Sequence, residues 1–198
     1  MKKTPIQKRS METRNKIVIT ARELFAEKGF EETTTNMIAK AAGISVGSIY
    51  SHFKDKWEIF LIILEEHKEA ILDYGTMNLN RILEQNQDVK TAINWIIPGL
   101  YEINKLNGKL NHELERFIQV DARAAAVHEK WEKLEDQQLL RFLNHYGEQL
   151  NISDPESAAT ILNLQLRSIF YYLFNNQEDV DEKAIISQFI RMMCNSVK

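Results

Sequence analysis

The 198-residue chain contains few of the residues that interrupt helices or cross-link small folds. It has three prolines, seven glycines and a single cysteine, Cys194. One cysteine excludes an internal disulfide, and a chain of this length can bury a sizeable core without one. We expect Cys194 to be a small buried side chain in a terminal helix and the protein to be cytoplasmic.

Long apolar runs are also absent. No run approaches the ~20 residues that a membrane helix needs, and the basic N-terminal stretch lacks the apolar core of a signal peptide. The sequence therefore predicts a soluble protein without a membrane partner.

Charge is distributed unevenly along the chain. Residues 1–57 hold eleven Lys or Arg and six Asp or Glu, whereas residues 58–198 hold fourteen and twenty-two. A basic end on an acidic body favours contact between the N-terminal part and a polyanion, although charge also varies along a chain by chance. We expect a basic cluster to add nonspecific phosphate contacts, the alternative being a solvated tail; it consists of Lys2, Lys3, Lys8, Arg9 and Arg14.

Apolar residues recur at helical spacing, and no segment shows the alternation of a strand, so the predicted fold class is all-α. Asp154 and Pro155 have the order of an N-cap and a first-turn proline. Gly75 is expected to end or bend a long helix that Asp55 caps. A short helix is predicted to begin at Ser45. The other helices are predicted over about 11–28, 35–42, 88–106, 109–120, 123–150, 155–175 and 181–196.

A short polar stretch, "AAGISVGSIYSHFKDK" at residues 41–56, interrupts this pattern. Two short helices joined by a turn that contains glycine form a helix-turn-helix. Here the turn is Gly43-Ile44 and Ser45 caps the second helix, which turns Ile49 and Phe53 inward. A thin helix with short polar side chains fits the major groove of DNA.

The predicted DNA contacts lie on and around this second helix. Its outer face is expected to enter the groove, and the flanking side chains are expected to reach phosphates. Lys56 also lies at a positive helix end, which attracts phosphate. The full set is Thr35, Asn36, Ser45, Val46, Gly47, Ser48, Tyr50, His52, Lys54 and Lys56.

Residues 25–60, "FAEKGFEETTTNMIAKAAGISVGSIYSHFKDKWEIF", resemble the N-terminal signature of the TetR family of bacterial repressors. The shared positions are Phe25, Gly29, Phe30, Thr34, Ile38, Ala39, Ala42, Gly43, Ile44, Ser45, Gly47, Tyr50, His52, Phe53 and Lys56. Two positions depart from the family pattern. Met37 stands where an acidic residue often completes a capping box, and Trp57 stands where Glu is common.

The resemblance implies a symmetric dimer with about nine helices per subunit. It implies a three-helix DNA-binding domain over residues 1–56, and a larger helical ligand-binding and dimerisation domain over residues 57–198. No organic cofactor is implied.

Residues typical of catalysis or of metal binding do not form a known motif. None of the five histidines belongs to an H-E-x-x-H or Glu-x-x-His pattern. Gly47-Ser48 lacks the second glycine of a nucleophile elbow. We therefore predict no catalytic residues and no metal site, and the protein is not expected to be an enzyme.

A ligand pocket is expected among aromatic residues and histidines of the larger domain, because such pockets are mostly apolar with a few polar groups. The candidates are His67, Ile71, Trp95, Tyr101, His112, Phe117 and Trp131. His67 is either a core histidine or a pocket donor. Pro98-Gly99 either opens space for a ligand or curves the helix around the core.

The last two helices are apolar on more than one side, which requires cover on more than one side. A core within one subunit or a dimer interface accounts for this, and we favour the interface. Its predicted residues are Leu162, Leu166, Ile169, Leu173, Ile186, Phe189, Ile190 and Met193.

These observations together predict a ligand-responsive repressor that binds palindromic operator DNA as a homodimer. A small-molecule effector, not identified by the sequence, is expected to release it. The alternative is a constitutive DNA-binding protein whose C-terminal part only dimerises.

Overall fold

A computed structural model describes residues 5–105, 116–176 and 180–195. These residues contain helices and no strand, which confirms the all-α fold. Residues 116–120 are helical, while residues 109–115 of the predicted helix 109–120 lie outside the described ranges. The helices with defined bounds are α1 Pro5–Lys28, α2 Thr35–Ala42, α3 Val46–Tyr50, α4 Lys56–Glu84, α5 Val89–Lys105, α6 Ala122–Leu150, α7 Pro155–Asn175 and α8 Glu182–Asn195.

Most helix ends agree with the sequence-based prediction. Asp154 caps α7 by accepting a hydrogen bond from the Ser157 N–H at 3.1 Å, and Pro155 is the first helical residue. The Asp55 carboxylate accepts from the Glu58 N–H at 2.9 Å at the start of α4. The first helix begins at Pro5, earlier than the predicted residue 11.

Gly75 does not end α4, which is continuous from Lys56 to Glu84. A Cβ at this glycine would lie 2.5 Å from Gln138 Oε1. The Gln138 amide occupies that space, and it donates to the Leu72 carbonyl at 2.7 Å and to the Thr76 hydroxyl. The glycine therefore allows a side chain of α6 to approach the backbone of α4.

Pro98 and Gly99 lie inside α5, which continues past both to Lys105. A Cβ on Gly99 would overlap the Tyr74 hydroxyl. Because Gly99 has no side chain, the Tyr74 hydroxyl can approach the backbone of α5 closely.

The chain folds into two compact units. Unit 1 extends to His67 and includes a second stretch that ends at Val127; unit 2 begins at Lys68 and again at His128. Both α4 and α6 pass from one unit to the other. The division into domains 1–56 and 57–198, which the family resemblance implies, stays a prediction.

Five aromatic rings form the centre of unit 1, and we call them the aromatic cluster: Phe25, Phe30, Trp57, Phe60 and Phe117. Phe60 is fully buried and lies 4.9–5.9 Å, centroid to centroid, from each of the other four rings. The cluster joins α1, α4 and the helical residues 116–120. It supports the helix-turn-helix from below, together with the buried side chains of Ile38, Ile49 and Phe53.

Three cations cover the outer rings of the aromatic cluster. The Arg123 guanidinium lies 4.8 Å from the Trp57 ring centroid, and the Arg116 guanidinium lies 4.6 Å from that of Phe117. The Lys56 ammonium lies 4.1 Å from the Phe30 centroid. Cation–π contacts of this kind contribute about 0.5–1 kcal/mol at exposed sites.

Unit 2 combines an apolar core with polar contacts between helices. Its core contains Leu79, Ile93, Leu143, Tyr146 and Leu173. Lys68 and Glu135 form an ion pair at 3.4 Å, with side chains only 12% and 18% exposed. Further contacts between helices join Asn163 with Asp136, Arg167 with Glu132 and His128, and Lys105 with Glu182.

Candidate DNA-binding surface

The first helix of the helix-turn-helix, α2, begins at a capped residue. Thr34 has extended backbone angles, and its hydroxyl accepts from the Met37 N–H at 3.2 Å. Thr34 therefore caps α2 alone, although Met37 cannot complete a capping box.

The turn between α2 and α3 depends on Gly43. Its φ of 62° and ψ of 38° lie in the left-handed region, which glycine adopts without strain. The Gly43 N–H bonds the Lys40 carbonyl at 3.2 Å, and the Ile44 N–H bonds the Ala39 carbonyl at 3.0 Å. This pair of bonds is a Schellman motif, and it aims the chain into α3.

Ser45 caps α3 as predicted. Its hydroxyl accepts from the Ser48 N–H at 3.1 Å and lies 3.0 Å from the Ser48 hydroxyl. Ile49 is fully buried beneath them, while Gly47 is exposed. The outer face of α3 is therefore narrow and carries two oriented hydroxyl groups.

Val46 is less exposed than the sequence suggested. It is half-buried and packs against the core of unit 1. Because part of this side chain supports α3, only its remaining surface is available on the outer face.

Tyr50 and Thr35 bring the end of α3 close to the start of α2. The Tyr50 side chain is 55% exposed, and its hydroxyl lies 3.3 Å from the Thr35 hydroxyl. Asn36 is exposed beside them. These polar side chains lie at the start of α2, where backbone N–H groups attract anions such as phosphate.

His52 and Lys54 flank α3 on the chain that leads to α4. The His52 ring is half-buried, with its centroid 6.3 Å from that of Phe53, and Lys54 is exposed. The Lys54 N–H donates to the Glu58 carboxylate at 2.6 Å, which fixes the backbone at this point.

Lys56 has a different orientation from the one expected. Its ammonium donates to the Phe30 carbonyl at 2.5 Å and to the Glu31 carbonyl at 3.4 Å. Both acceptors belong to the segment between α1 and α2, so the charge is engaged within unit 1.

One cation near the helix-turn-helix was missed from the sequence. Lys16 is exposed on α1, and its Nζ would lie 4.0 Å from a Cβ at Gly43. A charged residue inside an amphipathic helix gives no local signal of which loop it approaches, so only the fold reveals Lys16.

The predicted pocket residues are divided between the two units. Phe117 belongs to the aromatic cluster, and His67 is buried in unit 1. In unit 2, Tyr101 packs against Phe170 and stacks on Phe174 at 5.6 Å between centroids. Ile71 and Trp131 are buried there, and Arg81 covers the half-buried Trp95 ring at 4.6 Å. His112 lies outside the described residues.

The predicted interface residues separate into two groups. Leu173 is fully buried in unit 2, and Ile186, Phe189 and Ile190 are nearly so. Leu162, Leu166, Ile169 and Met193 are half-buried beside that core. The large exposed apolar side chains of α7 and α8 are instead Ile161, Leu164, Tyr171, Tyr172 and Met192.

An open groove runs between α7 and α8, and we call it the α7–α8 groove. Its lining is mainly apolar and includes Leu164, Ser168, Ile169, Phe189, Met192 and Met193. The helices of unit 2 therefore leave an apolar surface where the sequence predicted an excess of apolar side chains.

Within the described residues, His, Cys, Asp and Glu side chains do not group in threes at a distance that would hold a metal ion. No helix in those residues combines the length and the apolar character needed to cross a membrane.

Comparison with known proteins assigns the N-terminal part of the chain. Residues 17–63 match the family model for bacterial regulatory proteins of the tetR family. The HTH-type transcriptional regulator QacR of Staphylococcus aureus (strain Mu50) is 31% identical over 126 residues, which cover 54% of this chain and 66% of QacR. The chain thus spans just under two thirds of this curated relative.

Solved structures show that the fold extends over the whole chain. The fatty acid degradation regulator FadR from Bacillus halodurans is similar with a TM-score of 0.72 and 18% identity, over 98% of this chain and 96% of FadR. SmeT, the repressor of the Stenotrophomonas maltophilia multidrug efflux pump SmeDEF, has a TM-score of 0.69 and 20% identity, over 93% and 90%. By name, two of these three proteins are regulators and the third is a repressor. Residues 17–63 of the chain thus belong to the TetR family of bacterial regulatory proteins.

Proposed function

We propose that this protein is a ligand-responsive transcriptional repressor that binds palindromic operator DNA as a homodimer. The observation that carries the proposal is the narrow polar face of α3, capped by Ser45 and supported from below by the buried Ile49. That QacR is a transcriptional regulator and SmeT a repressor supports the same function.

The outer face of α3 is suited to the major groove. Ser45 and Ser48 offer hydroxyls that both donate and accept hydrogen bonds, and Gly47 allows close approach of the helix to base edges. If Ser48 makes a good hydrogen bond to a base, its removal would lower discrimination between bases by roughly 1–3 kcal/mol. We therefore assign sequence reading to these three residues and to the exposed part of Val46.

Phosphate contacts are assigned to the groups around α3. Thr35, Asn36 and Tyr50 lie together at the start of α2, and His52 and Lys54 flank the other end of α3. Lys16 adds a charge beside the turn. Such contacts position the protein without reading sequence.

The α7–α8 groove and the exposed apolar residues beside it support a dimer. One short reading helix contacts few base pairs, so a two-fold axis is needed to specify a site among many competitors. Exposed apolar surface of this kind is typical of protein–protein interfaces. We place the interface on Leu164, Ile169 and Met192, because Leu173 is already buried within the subunit.

We assign the effector to unit 2, whose core includes buried aromatic residues. Tyr101 and Trp95 are the best-supported candidates from the predicted set, since both lie among apolar side chains of that unit. To release the protein, the effector must bind the DNA-free state more tightly than the DNA-bound state.

The second candidate function is constitutive DNA binding, in which unit 2 only dimerises. One observation favours it: the rings of Phe170 and Phe174 already pack against Tyr101, where a ligand would otherwise bind. Release from DNA by a small molecule separates the two candidates.

The test begins with selection of a duplex from random DNA by the full chain. A palindromic site that binds with steep salt dependence is expected. Leu164→Glu should give folded monomers with much weaker binding, because the charge would enter an apolar interface. Met77→Glu is the matched control: Met77 is also exposed, but it lies on α4, and this variant should stay dimeric. A dimeric Leu164→Glu protein would refute the interface, and a failure to select any site would refute the proposed function.

A further inference from the structure

The segment between α1 and α2 is held by hydrogen bonds to its backbone carbonyls. Gly29 ends α1 with a φ of 80°, and its N–H bonds the Phe25 carbonyl at 2.9 Å. The Thr33 hydroxyl, fully buried, lies 2.7 Å from the Gly29 carbonyl and 3.2 Å from the Leu24 carbonyl. The carbonyls of Phe30 and Glu31, between these two residues, receive their donor from another helix.

That donor is Lys56, the first residue of α4. Its ammonium contacts the Phe30 carbonyl at 2.5 Å and the Glu31 carbonyl at 3.4 Å, and it lies 4.1 Å from the Phe30 ring centroid. A cation at a helix N-terminus is opposed by the helix dipole. Two carbonyl oxygens and a ring face offset that cost.

The segment between α1 and α2 leads directly to the candidate DNA contacts. Thr34 follows Thr33 as the cap of α2, and Thr35 meets Tyr50 at the next residue. A shift of residues 30–33 would therefore move the start of α2 relative to α3. Because hydrogen bonds to charged groups are stronger than neutral ones, Lys56 restrains these two carbonyls strongly.

We infer that Lys56 is a positioning residue, which fixes the α1–α2 segment on α4 and thereby sets the start of α2, rather than a phosphate ligand. The inference rests on the proposed function, since positioning matters for binding operator DNA. Two of the three ammonium donors have acceptors in the Phe30 and Glu31 carbonyls, so the charge is held on the α1–α2 segment.

Salt dependence separates the two roles. Lys56→Met retains most of the aliphatic stem and removes the donor, and Lys54→Met removes the same charge from an exposed neighbour. Operator affinity is measured against salt for both variants. Removal of one phosphate contact per subunit lowers the slope of log affinity against log salt by about 1.8 per dimer, at about 0.9 per contact. We expect that reduction for Lys54→Met only.

For Lys56→Met we expect affinity about tenfold lower at every salt concentration, from the loss of a charged hydrogen bond. Amide exchange over residues 29–38 should be faster, and Lys56→Arg should restore both properties. Equal slope reductions in the two Met variants, with unchanged exchange, would overturn the inference.

A measurement on the unaltered protein does not depend on how a variant folds. The Lys56 Nζ lies 4.1 Å from the Phe30 ring centroid, so the NMR signal of the adjoining ε-methylene protons should be shifted upfield. It should remain there when the selected duplex is added. A signal that moves to the ordinary lysine position on DNA binding would overturn the inference. The upfield shift is measured in the free protein, without DNA. A failure of the inference about Lys56 is therefore distinguishable from a failure of the proposed function.

Discussion

Unit 1 and unit 2 are both helical, yet they are stabilised by different kinds of contact. Unit 1 is centred on the aromatic cluster, in which Phe60 contacts four rings. Unit 2 adds an ion pair between Lys68 and Glu135 that is largely shielded from water, and several amide and carboxylate contacts between helices. In unit 1, packed aromatic rings therefore support the proposed DNA surface. In unit 2, to which the effector is assigned, polar contacts join the helices.

This difference has an energetic consequence. Ring packing gives free energy through buried area and does not depend on exact hydrogen-bond geometry. Polar contacts in shielded positions depend on geometry and cost free energy when one partner is removed. Unit 1 should thus be most sensitive to a loss of side-chain volume, and unit 2 to small displacements.

The largest expected effect is that of Phe60→Ala. Removing a fully buried ring with four aromatic neighbours should lower the free energy of unfolding by about 3–5 kcal/mol. Phe142→Ala in unit 2 is the control, because Phe142 is also buried but has one aromatic neighbour, Tyr146, among the described ring contacts. Urea denaturation of both variants should show the larger loss for Phe60→Ala. Equal losses would remove the aromatic cluster as a distinguishing feature of unit 1.

Displacement in unit 2 is tested by Gly99→Ala. The new methyl group would overlap the Tyr74 hydroxyl, and overpacking of this kind costs about 1–3 kcal/mol. Tyr74→Phe removes the oxygen, so it should recover part of that loss in the double variant. A thermodynamic cycle by urea denaturation should give a coupling of at least about 0.5 kcal/mol. Additive effects would show that the contact between α4 and α5 is not restricted at this point.

Sequence reasoning predicted unit 1 more completely than unit 2. The cap at Ser45 and the turn at Gly43 follow from local backbone requirements, and both were confirmed. The Lys56 orientation could not be predicted in this way. Its acceptors lie about 25 residues away, and a lysine has many rotamers of similar energy.

In unit 2 the missing information concerns contacts between distant helices. Periodicity predicted that α7 and α8 are apolar on two sides, but it could not assign each side to the subunit core or to a partner. Leu173 therefore entered the predicted interface, although it is fully buried. Gly75 was expected to end or bend a helix, because the insertion of Gln138 from α6 has no local sequence signal.

Two glycines of the helix-turn-helix separate stability from DNA binding. Gly43→Ala places a side chain at a φ of 62°, which should cost about 1–2 kcal/mol, although the nearest atom to the Cβ is Lys16 Nζ at 4.0 Å. Gly47 lies within α3, and its Cβ would meet only Ser45 Oγ at 3.8 Å. Gly47→Ala should therefore stabilise the protein by about 0.5–1 kcal/mol.

Affinity should not follow stability in this pair. The methyl group of Gly47→Ala would widen the face assigned to the major groove, so operator affinity should fall while the unfolding temperature rises. Thermal unfolding and fluorescence anisotropy with the selected duplex measure the two quantities. A more stable variant that retains full affinity would refute the assignment of this face.

The smallest expected effects come from two buried tyrosines of unit 2. The Tyr146 hydroxyl donates to the Gln87 carbonyl at 2.6 Å. The Tyr101 hydroxyl is also buried, and within the described residues it forms no hydrogen bond of ordinary geometry, although the Glu182 carboxylate lies near it. At pH 7, Tyr146→Phe should lower the free energy of unfolding by about 1 kcal/mol, and Tyr101→Phe should change it by less than about 0.5 kcal/mol.

Alkaline pH should affect both tyrosines in the same direction. Burial raises the pKa of each hydroxyl above the ordinary value of 10.0, and the Glu182 carboxylate adds to the rise in the pKa of Tyr101. A raised pKa means that the unfolded chain loses its proton first, so stability declines as pH rises above about 10. In each Phe variant the free energy of unfolding should therefore decline less steeply with pH than in the unaltered protein. Urea denaturation at about pH 9 to 11, on either side of the reference tyrosine pKa of about 10, measures this. If Tyr101→Phe instead costs as much as Tyr146→Phe at pH 7, Glu182 accepts a hydrogen bond from Tyr101, and the polar contacts of unit 2 extend into its aromatic core.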